Sequence, residues 1–286
     1  MSVVLSANEA ADAPEEIREK TILGLTSDGW LRILAPALIG FLALAGWEWA
    51  VRAKEIPSYI LPGPVEIGRT LLTDWGTLSG SLLITLQITF AALFVAAVLG
   101  LALAVLFAQS RIIELSLFPY AVILQVTPIV AIAPLIFIWV DDIRIALLIC
   151  AWIVAFFPIL SNTLIGLRAA DPGLKDLFRL YQASPWQRLR WLLVPTALPY
   201  FISGLKISGG LALIGAVVAE FAAGAAGRET GLASRILEAS FRTEIPKMYA
   251  ALLLIALTGV AIFLLLDLLA RALLGRRYPA SGHQEP

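Results

Sequence analysis

Six long apolar stretches dominate the sequence and restrict the folds that are open to it. They run at about residues 33–51, 82–108, 113–139, 143–167, 192–221 and 247–273. A helix needs roughly 20 mostly apolar residues to cross the hydrocarbon core of a bilayer. Inside that core, only helices and closed barrels satisfy all their backbone hydrogen bonds. The sequence therefore predicts an all-α membrane protein with six transmembrane helices over residues 30–275.

The composition supports the lipid bilayer as the solvent and partner of this chain. Of its 286 residues, 59% are hydrophobic and 15% are charged, whereas a soluble domain carries about 25% charged residues. The formal net charge is zero, so no nucleic acid is expected as a partner. The single cysteine, Cys150, lies in an apolar stretch and the single histidine, His283, lies in a polar tail. Neither a disulfide framework nor a cysteine metal site is therefore predicted.

The charges of the ends and loops predict the orientation. Residues 1–29 are polar and acidic, and they lack the basic start and apolar run of a secretory signal. We expect them, and residues 276–286, to form two cytoplasmic tails. Arginine and lysine cluster at residues 168–190, in a short loop next to two spans. Because cytoplasmic loops carry an excess of these residues, the cluster places this loop and both termini in the cytoplasm.

The loop at residues 168–191 has a helical period of its own. Leu174, Leu177, Phe178 and Tyr181 follow one another at spacings of three and four, with charged residues between them. Pro185 interrupts the pattern, so two short helices joined by a turn are expected. A solvated surface loop is one interpretation. The other is a docking element, because an apolar stripe that faces water needs a partner groove.

The motifs of common membrane and nucleotide-dependent enzymes are absent from the sequence. It contains no Gly-x-x-x-x-Gly-Lys-Ser/Thr loop for ATP phosphates, no His-Glu-x-x-His and no Gly-x-Ser-x-Gly. The predicted spans contain neither histidine nor clustered acids. We therefore expect no catalytic residue, no metal and no bound cofactor in this chain.

Polar residues inside the spans are candidates for function because a charge at mid-bilayer costs roughly 2.5–3.5 kcal/mol. Glu48 and Asp267 lie near helix ends, and Lys206 can extend its amine toward the cytoplasm. Glu220 lies near the outer end of its span and fits either a paired acid or a residue of the pore. Uncharged polar residues suit a hydrated path or helix–helix hydrogen bonds. The candidates for a translocation path are Gln125, Thr127, Pro128, Asn162, Ser208 and Glu220.

Residues 176–195 resemble the cytoplasmic loop of the permease subunits of binding-protein-dependent ABC importers. The motif of that family is Glu-Ala-Ala, three residues, Gly, nine residues and then Ile-x-Leu-Pro. Gln182 falls at the glycine position, and residues 192–195 fall at the closing position. Further segments resemble the nitrate/sulfonate/taurine branch of the family, and the resemblance runs from about residue 40 to 275. These segments are residues 61–64, 127–135, 196–209 and 217–221.

The same loop departs from the family motif at four positions. Asp176 replaces the glutamate, Leu177 and Phe178 replace the two alanines, and Gln182 replaces the glycine. The glycine of the family allows a tight turn between two coupling helices. We expect Pro185 to set the turn here instead. The outer loop after the third stretch, residues 140–144, also carries charges where relatives usually have a Phe-Gly-x-Gly pattern.

The resemblance implies a type I ABC importer permease in the bacterial inner membrane, with a cytoplasmic coupling-helix loop. Two copies of the chain would form the pore, and two ATPase subunits carrying ATP and Mg would dock on the loop. A periplasmic solute-binding protein would deliver a small solute, namely a sulfonate, nitrate, taurine or a pyrimidine-type vitamin precursor. The residues expected to couple to the ATPase are Asp176, Leu177, Phe178, Tyr181, Gln182, Ala183 and Ser184.

An ion-gradient-driven secondary transporter is the first alternative, and a scaffold or assembly protein without transport, which would have no effect on a solute in vesicles, is the second. Secondary transporters often contain internal repeats and helices that are broken near the midplane. The sequence has no convincing repeat and no intramembrane acid pair for proton coupling. A secondary transporter also has no need of an amphipathic docking helix at residues 168–191.

Overall fold

The computed structural model of the chain describes residues 27–225 and 231–275, with side chains from residue 34 onward. The predicted tails at 1–29 and 276–286 lie outside this part, except that residues 27–29 begin the first helix. All regular secondary structure in the described part is helical. The chain divides into two units, one ending at Ile56 and the other beginning at Pro57.

The described part of the first unit contains one long helix, α1 (Ser27–Ala53). Its apolar segment Leu34–Ala53 has a mean hydropathy of 1.6 and is long enough to cross a membrane. Glu48 is the acid in this segment, and it accepts a hydrogen bond from Arg52 at 2.6 Å, one turn further along. A charge pair of this spacing lowers the cost of holding the carboxylate in an apolar helix.

The second unit contains the remaining helices of the described chain. In order they are α2 (Pro64–Thr73), α3 (Trp75–Gln109), α4 (Arg111–Val126), α5 (Ile129–Trp139), α6 (Ile143–Arg168), α7 (Pro172–Leu180), α8 (Pro185–Arg188), α9 (Val194–Ala225), α10 (Leu232–Phe241) and α11 (Ile245–Leu274). A π-helical turn, Leu189–Leu193, joins α8 to α9.

Among the described residues, five helices are long and apolar enough to cross a membrane. They are α1, α3, α6, α11 and the continuous run from Pro185 to Ala225 that contains α9. The pair α4 and α5 becomes a sixth span if both helices cross together, but they are bent by 103°. The bend lies at Thr127 and Pro128, and Thr127 has an extended ψ of 124°. Proline lacks an N–H and disfavours the helical conformation of the preceding residue, which explains the break.

Helices α6 and α9 pack against each other at glycine positions. A Cβ atom added to Gly215 would lie 2.9 Å from the Cα atom of Ala151, and one added to Gly204 would lie 2.8 Å from the carbonyl oxygen of Pro158. Small residues let two membrane helices approach this closely. Helix α9 starts after α7 and α8 and ends before α10. The short helices α7 and α8 therefore lie at one end of this long helix, and α10 lies at the other.

Candidate functional site

The loop between α6 and α9 contains a left-handed residue at the motif position of the glycine. Gln182 has a φ of 51°. The Ala183 N–H donates to the Phe178 carbonyl at 2.9 Å, and the Gln182 N–H donates to the Arg179 carbonyl at 2.9 Å. This pair of hydrogen bonds is the Schellman motif that ends many helices, usually with glycine at the left-handed position. The turn is therefore made at Gln182.

Pro185 does not make the turn that the sequence led us to expect there. It is the first residue of α8, where its missing N–H costs nothing and its fixed φ fits the helix. Ser184 caps α8: its Oγ accepts from the Gln187 N–H at 3.2 Å, and its own N–H donates to Gln187 Oε1 at 2.7 Å. This reciprocal capping box fixes the start of α8 directly after the turn. At the other end of the loop, the Asp171 carboxylate caps α7 by accepting from the Leu174 N–H at 3.0 Å.

Most of the predicted coupling residues lie at the surface of this loop. Asp176, Leu177, Tyr181, Gln182 and Ser184 are exposed, whereas Phe178 and Ala183 are half-buried. Tyr181 is 79% exposed. Asp176 forms a solvent-accessible ion pair with Arg179 at 3.2 Å.

Two apolar side chains of the same surface escaped the sequence reasoning. Leu180 is 81% exposed and Trp186 is 66% exposed. Leu180 follows Leu177 by three residues, so the helical period already contained the signal. Trp186 lies beyond the proline, where the period gives no guidance. Together with Tyr181, they give this short loop three large side chains that no other described part of the chain covers, and exposed apolar side chains in such numbers are typical of an interaction site.

Three of the predicted path residues line one cavity at the break between α4 and α5. The cavity has a volume of about 340 Å³. Its walls come from α4, α5, α6 and α9, and none of the lining side chains is charged. They are Leu124, Gln125, Val126, Thr127, Pro128, Ile129, Ile153, Val154, Pro158 and Leu211. Gln125 offers an exposed amide, while the Thr127 hydroxyl donates to the Ile123 carbonyl at 2.6 Å and keeps its oxygen as an acceptor.

The structure does not bring Asn162 and Ser208 to this cavity. The Asn162 amide donates to the Pro158 carbonyl at 2.8 Å within α6. Ser208 is fully buried, and its hydroxyl donates to the Ala155 carbonyl at 2.6 Å, which ties α9 to α6. Both side chains satisfy backbone groups inside the bundle.

Glu220 is also fully buried, at the far end of α9 from the coupling loop. Its Oε2 accepts from the Ala233 N–H at 3.0 Å, and the Leu232 N–H donates to Thr85 Oγ1 at 2.9 Å. Helix α10 begins after Gly231, which has no side chain that caps the helix. Its first N–H groups are therefore satisfied by side chains from α3 and α9. A Cβ atom on Gly231 would collide with the Glu220 carboxylate.

Lys206 and Asp267, which sequence reasoning treated separately, are partners. The Lys206 amine lies 2.7 Å from Asp267 Oδ1, and the Arg271 guanidinium lies 2.7 Å from Asp267 Oδ2. Lys206 also lies 5.5 Å from the ring centroid of Phe263. The pair links α9 to α11. Among the described residues, no three histidine, cysteine or acidic side chains come together to hold a metal ion.

Comparison with known proteins gives the family. Residues 96–277, more than half of the chain, match the family described as "Binding-protein-dependent transport system inner membrane component". The riboflavin transport system permease protein RibX of Chloroflexus aurantiacus is 33% identical over 249 residues, which cover 84% of this chain and 88% of that protein. The formylaminopyrimidine transport permease protein ThiX of Halalkalibacterium halodurans is 31% identical over 242 residues, which cover 84% of this chain and 95% of that protein.

A nitrate import permease and a solved structure complete the comparison. The protein NrtB of a Synechocystis species is 28% identical over 165 residues, which cover 58% of each chain. A chain of the inward-facing MetNI methionine ABC transporter superposes with a TM-score of 0.60 at 21% identity, covering 70% of this chain and 97% of that one. The similarity to the MetNI chain gives the fold, which is that of type I importer permeases. The chain belongs to the family of inner-membrane components of binding-protein-dependent transport systems, and it is a multi-pass permease subunit of an ATP-driven importer.

Proposed function

We propose that two copies of this chain form the pore of the importer and that two ATPase subunits dock on α7 and α8. The observation that carries the proposal is the exposure of three large side chains on this charged loop, Leu180, Tyr181 and Trp186. Apolar side chains of this size at the centre of a contact supply much of its binding energy. The residues of contact are the predicted set from Asp176 to Ser184, extended by Trp186.

The orientation follows from the same loop. ATP and Mg are bound by the ATPase subunits in the cytoplasm, so the loop and both termini lie on that side of the inner membrane. The end of the bundle that contains α10 then faces the periplasm and receives the solute-binding protein. A displacement of α7 and α8 upon ATP binding reaches the opposite end through α9, which starts directly after the π-helical turn.

The solute path runs along the cavity at the break between α4 and α5, with Gln125, Thr127 and Pro128 at its wall. Asn162, Ser208 and Glu220 hold the surrounding helices in place. The lining offers an amide and a hydroxyl oxygen and no cation, which suits an uncharged polar heterocycle better than nitrate or a sulfonate. The names of RibX and ThiX support the same class. We therefore favour a pyrimidine-type vitamin precursor as the solute.

Co-purification tests the docking proposal. The tagged chain is extracted from its native membrane in a mild detergent, and the proteins that co-elute are identified by mass spectrometry. We expect an ATPase with a phosphate-binding loop, in equal copies with this chain. The double variant Tyr181→Glu and Ala183→Glu places two charges on the docking surface, so the ATPase is expected to be lost.

A matched control separates this effect from a general change of surface. Phe241 is 79% exposed at the end of α10, on the opposite side of the bundle. The variant Phe241→Glu is expected to retain the ATPase. Recovery of the wild-type chain alone, under conditions that hold known complexes together, would contradict the docking proposal and favour the gradient-driven alternative.

A further inference from the structure

A second cavity lies between the coupling helices and the ends of the spans. Its volume is about 230 Å³. Its apolar wall consists of Ala108 near the end of α3, Leu167 near the end of α6 and Leu193 just before α9. Its polar wall consists of four cationic side chains: Arg168, Lys175, Arg179 and Arg188. The cavity is thus apolar toward the bundle and strongly basic toward the loop.

Carboxylates compensate only part of this charge. Arg168 pairs with Glu114 at the start of α4, and Arg179 pairs with Asp176 at 3.2 Å. The Lys175 amine donates to the Arg168 carbonyl at 2.9 Å, which leaves its charge unbalanced. Within the described part of the chain, neither Lys175 nor Arg188 has a carboxylate within ion-pair distance. Two positive charges therefore point to an anion from outside the chain.

The position of the cavity indicates where this anion comes from. Its apolar wall is made by residues at or next to the ends of three membrane helices, which puts it at the depth of the lipid headgroups. Basic pockets between helices on the cytoplasmic side of a membrane bind the headgroups of anionic lipids. Guanidinium groups match the oxygens of a phosphate in a fork geometry, and an ammonium adds a point charge.

We propose that this cavity binds the phosphate of an anionic phospholipid, with Lys175 and Arg188 as its main ligands. That the site lies on the cytoplasmic side of the membrane rests on the proposed function, which puts the loop in the cytoplasm. A bound headgroup would bridge the end of α6 to both coupling helices. Anionic lipid would thereby fasten the element through which the ATPase acts, and the lipid composition would set the strength of coupling.

Lipid binding to the purified chain tests this inference independently of the ATPase. The chain is titrated with phosphatidylglycerol or phosphatidylcholine in a neutral detergent, and bound lipid is measured by native mass spectrometry and by the shift in unfolding temperature. We expect phosphatidylglycerol to bind and stabilise the wild type, and phosphatidylcholine to do neither. The double variant Lys175→Gln and Arg188→Gln is expected to bind phosphatidylglycerol about thirtyfold more weakly, at about 1 kcal/mol per cation.

Arg190→Gln is the matched control because Arg190 lies on the same loop, outside the cavity, with its guanidinium 5.4 Å from the ring centroid of Trp191. It is expected to bind phosphatidylglycerol like the wild type. If Arg190→Gln weakened phosphatidylglycerol binding as much as the double variant does, the lipid would be held by the general positive charge of the loop, and the proposed site would be wrong. Stabilisation by inorganic phosphate, equal to that by phosphatidylglycerol, would assign the cavity to a free anion and overturn the lipid.

The co-purified ATPase gives the last distinction. If the Lys175→Gln and Arg188→Gln variant loses the ATPase in neutral detergent while lipid binding is unchanged, the two cations serve a carboxylate of that subunit and the lipid proposal is wrong. If phosphatidylglycerol binding follows the expectation and no ATPase is ever recovered, the lipid site stands and the docking proposal fails instead.

Discussion

Within the described part of the chain, two short helices are each followed by a residue other than glycine that holds a left-handed backbone conformation. Gln182 ends α7, and Thr243 ends α10 with a φ of 58°. The hydrogen bonds at Thr243 repeat those at Gln182: the Glu244 N–H donates to the Ala239 carbonyl at 2.9 Å. A left-handed residue with a Cβ atom is strained by roughly 1–2 kcal/mol. The strain is greater for a β-branched side chain such as that of threonine.

Glycine at position 182 is expected to stabilise the chain. The variant Gln182→Gly removes the backbone strain at φ 51° from the folded state. Glycine also gives the unfolded chain more conformational freedom, which offsets part of this stabilisation. We therefore expect a net increase of about 1 kcal/mol in the free energy of unfolding. Thermal unfolding of the purified chain in detergent measures it. Thr243→Gly should gain more, and Gln182→Ala should gain nothing. A lower unfolding temperature for Gln182→Gly would mean that the turn is not left-handed.

At this scale the sequence predicted where the turn lies but not which residue makes it. The motif register put Gln182 at the glycine position, and the helical period ended near Tyr181. Glutamine and proline are both compatible with a turn, and only the backbone angles separate them. The choice of Pro185 was therefore reasonable from residue types and wrong in the structure.

Among the elements, the contact between α6 and α9 depends on glycines that have different surroundings. A methyl group at Gly215 would meet the backbone of Ala151, which cannot move as a side chain does, whereas a methyl group at Gly210 would have no atom within 4 Å. We expect Gly215→Ala to lower the free energy of unfolding by about 1–3 kcal/mol, because overpacking forces the helices apart.

Gly210→Ala is the control for this prediction. Alanine has a higher helix propensity than glycine by roughly 1 kcal/mol, so this variant should be as stable as the wild type or more stable. Thermal unfolding of both variants in the same detergent measures the difference. Equal stability of the two variants would mean that α6 and α9 are not in contact at Gly215.

Helix α10 is expected to lose stability in acid. The Arg235 guanidinium donates a hydrogen bond to Glu238 at 2.6 Å and holds the pKa of this carboxyl below its usual range. A group with a lowered pKa in the folded state stabilises that state fully above its unfolded pKa of about 4.3 and loses this contribution as the pH falls further. Hydrogen exchange of the α10 amides, corrected for intrinsic rates, should show less protection below that pH.

The variant Glu238→Gln should remove this pH dependence, because it has no carboxyl to titrate. Glu66→Gln on α2 is the control and should leave the dependence of α10 unchanged. An unchanged response of the Glu238→Gln variant would assign the acid sensitivity to another group.

The elements themselves were largely predictable, since long apolar stretches leave the chain few alternatives in lipid. The exception is the stretch 113–139, whose length and hydropathy fit one straight span. Proline favours a kink wherever it interrupts a helix, but the residue type does not fix the angle, which is 103° here. That information is in the tertiary packing and not in the local sequence.

For the whole molecule, the uncharged lining of the cavity at the α4–α5 break predicts a role for Gln125 in transport. The full complex is reconstituted in vesicles with its solute-binding protein, and uptake of a pyrimidine is measured in competition with a sulfonate. Gln125→Leu removes one hydrogen bond to the solute, worth about 0.5–1.5 kcal/mol, so we expect a two- to tenfold lower rate of pyrimidine uptake.

Gln87→Leu is the control, because Gln87 is exposed on α3 and does not line the cavity. It should transport like the wild type. Faster uptake of the sulfonate than of the pyrimidine by the wild-type complex would overturn the proposed class of solute.

Contacts between distant parts of the chain set the limit of the sequence reasoning. Lys206 and Asp267 are 61 positions apart. Asp267 was expected to be tolerated near the end of its span, and Lys206 by extending its amine toward the cytoplasm. Glu220 and Ser208 were predicted either to line a path or to hold helices together, because polar groups in lipid are rare. Their partners are the backbone N–H of Ala233 and the backbone carbonyl of Ala155. Because every residue type carries these groups, the sequence does not show which of them will be a partner.

The way in which α10 is capped has a consequence for the synthesis of the chain. The hydrogen bond from Leu232 to Thr85 joins residues 147 positions apart. Contacts of such long range form late, after the entropy of closing the intervening loop has been overcome. The helices between these two residues are synthesised before α10, so α10 reaches its final state only after they have been inserted and α3 and α9 have packed next to it. The capped form of α10 therefore requires that α3 and α9 are packed next to each other. In a chain with misplaced helices, α10 would stay uncapped and accessible to proteases.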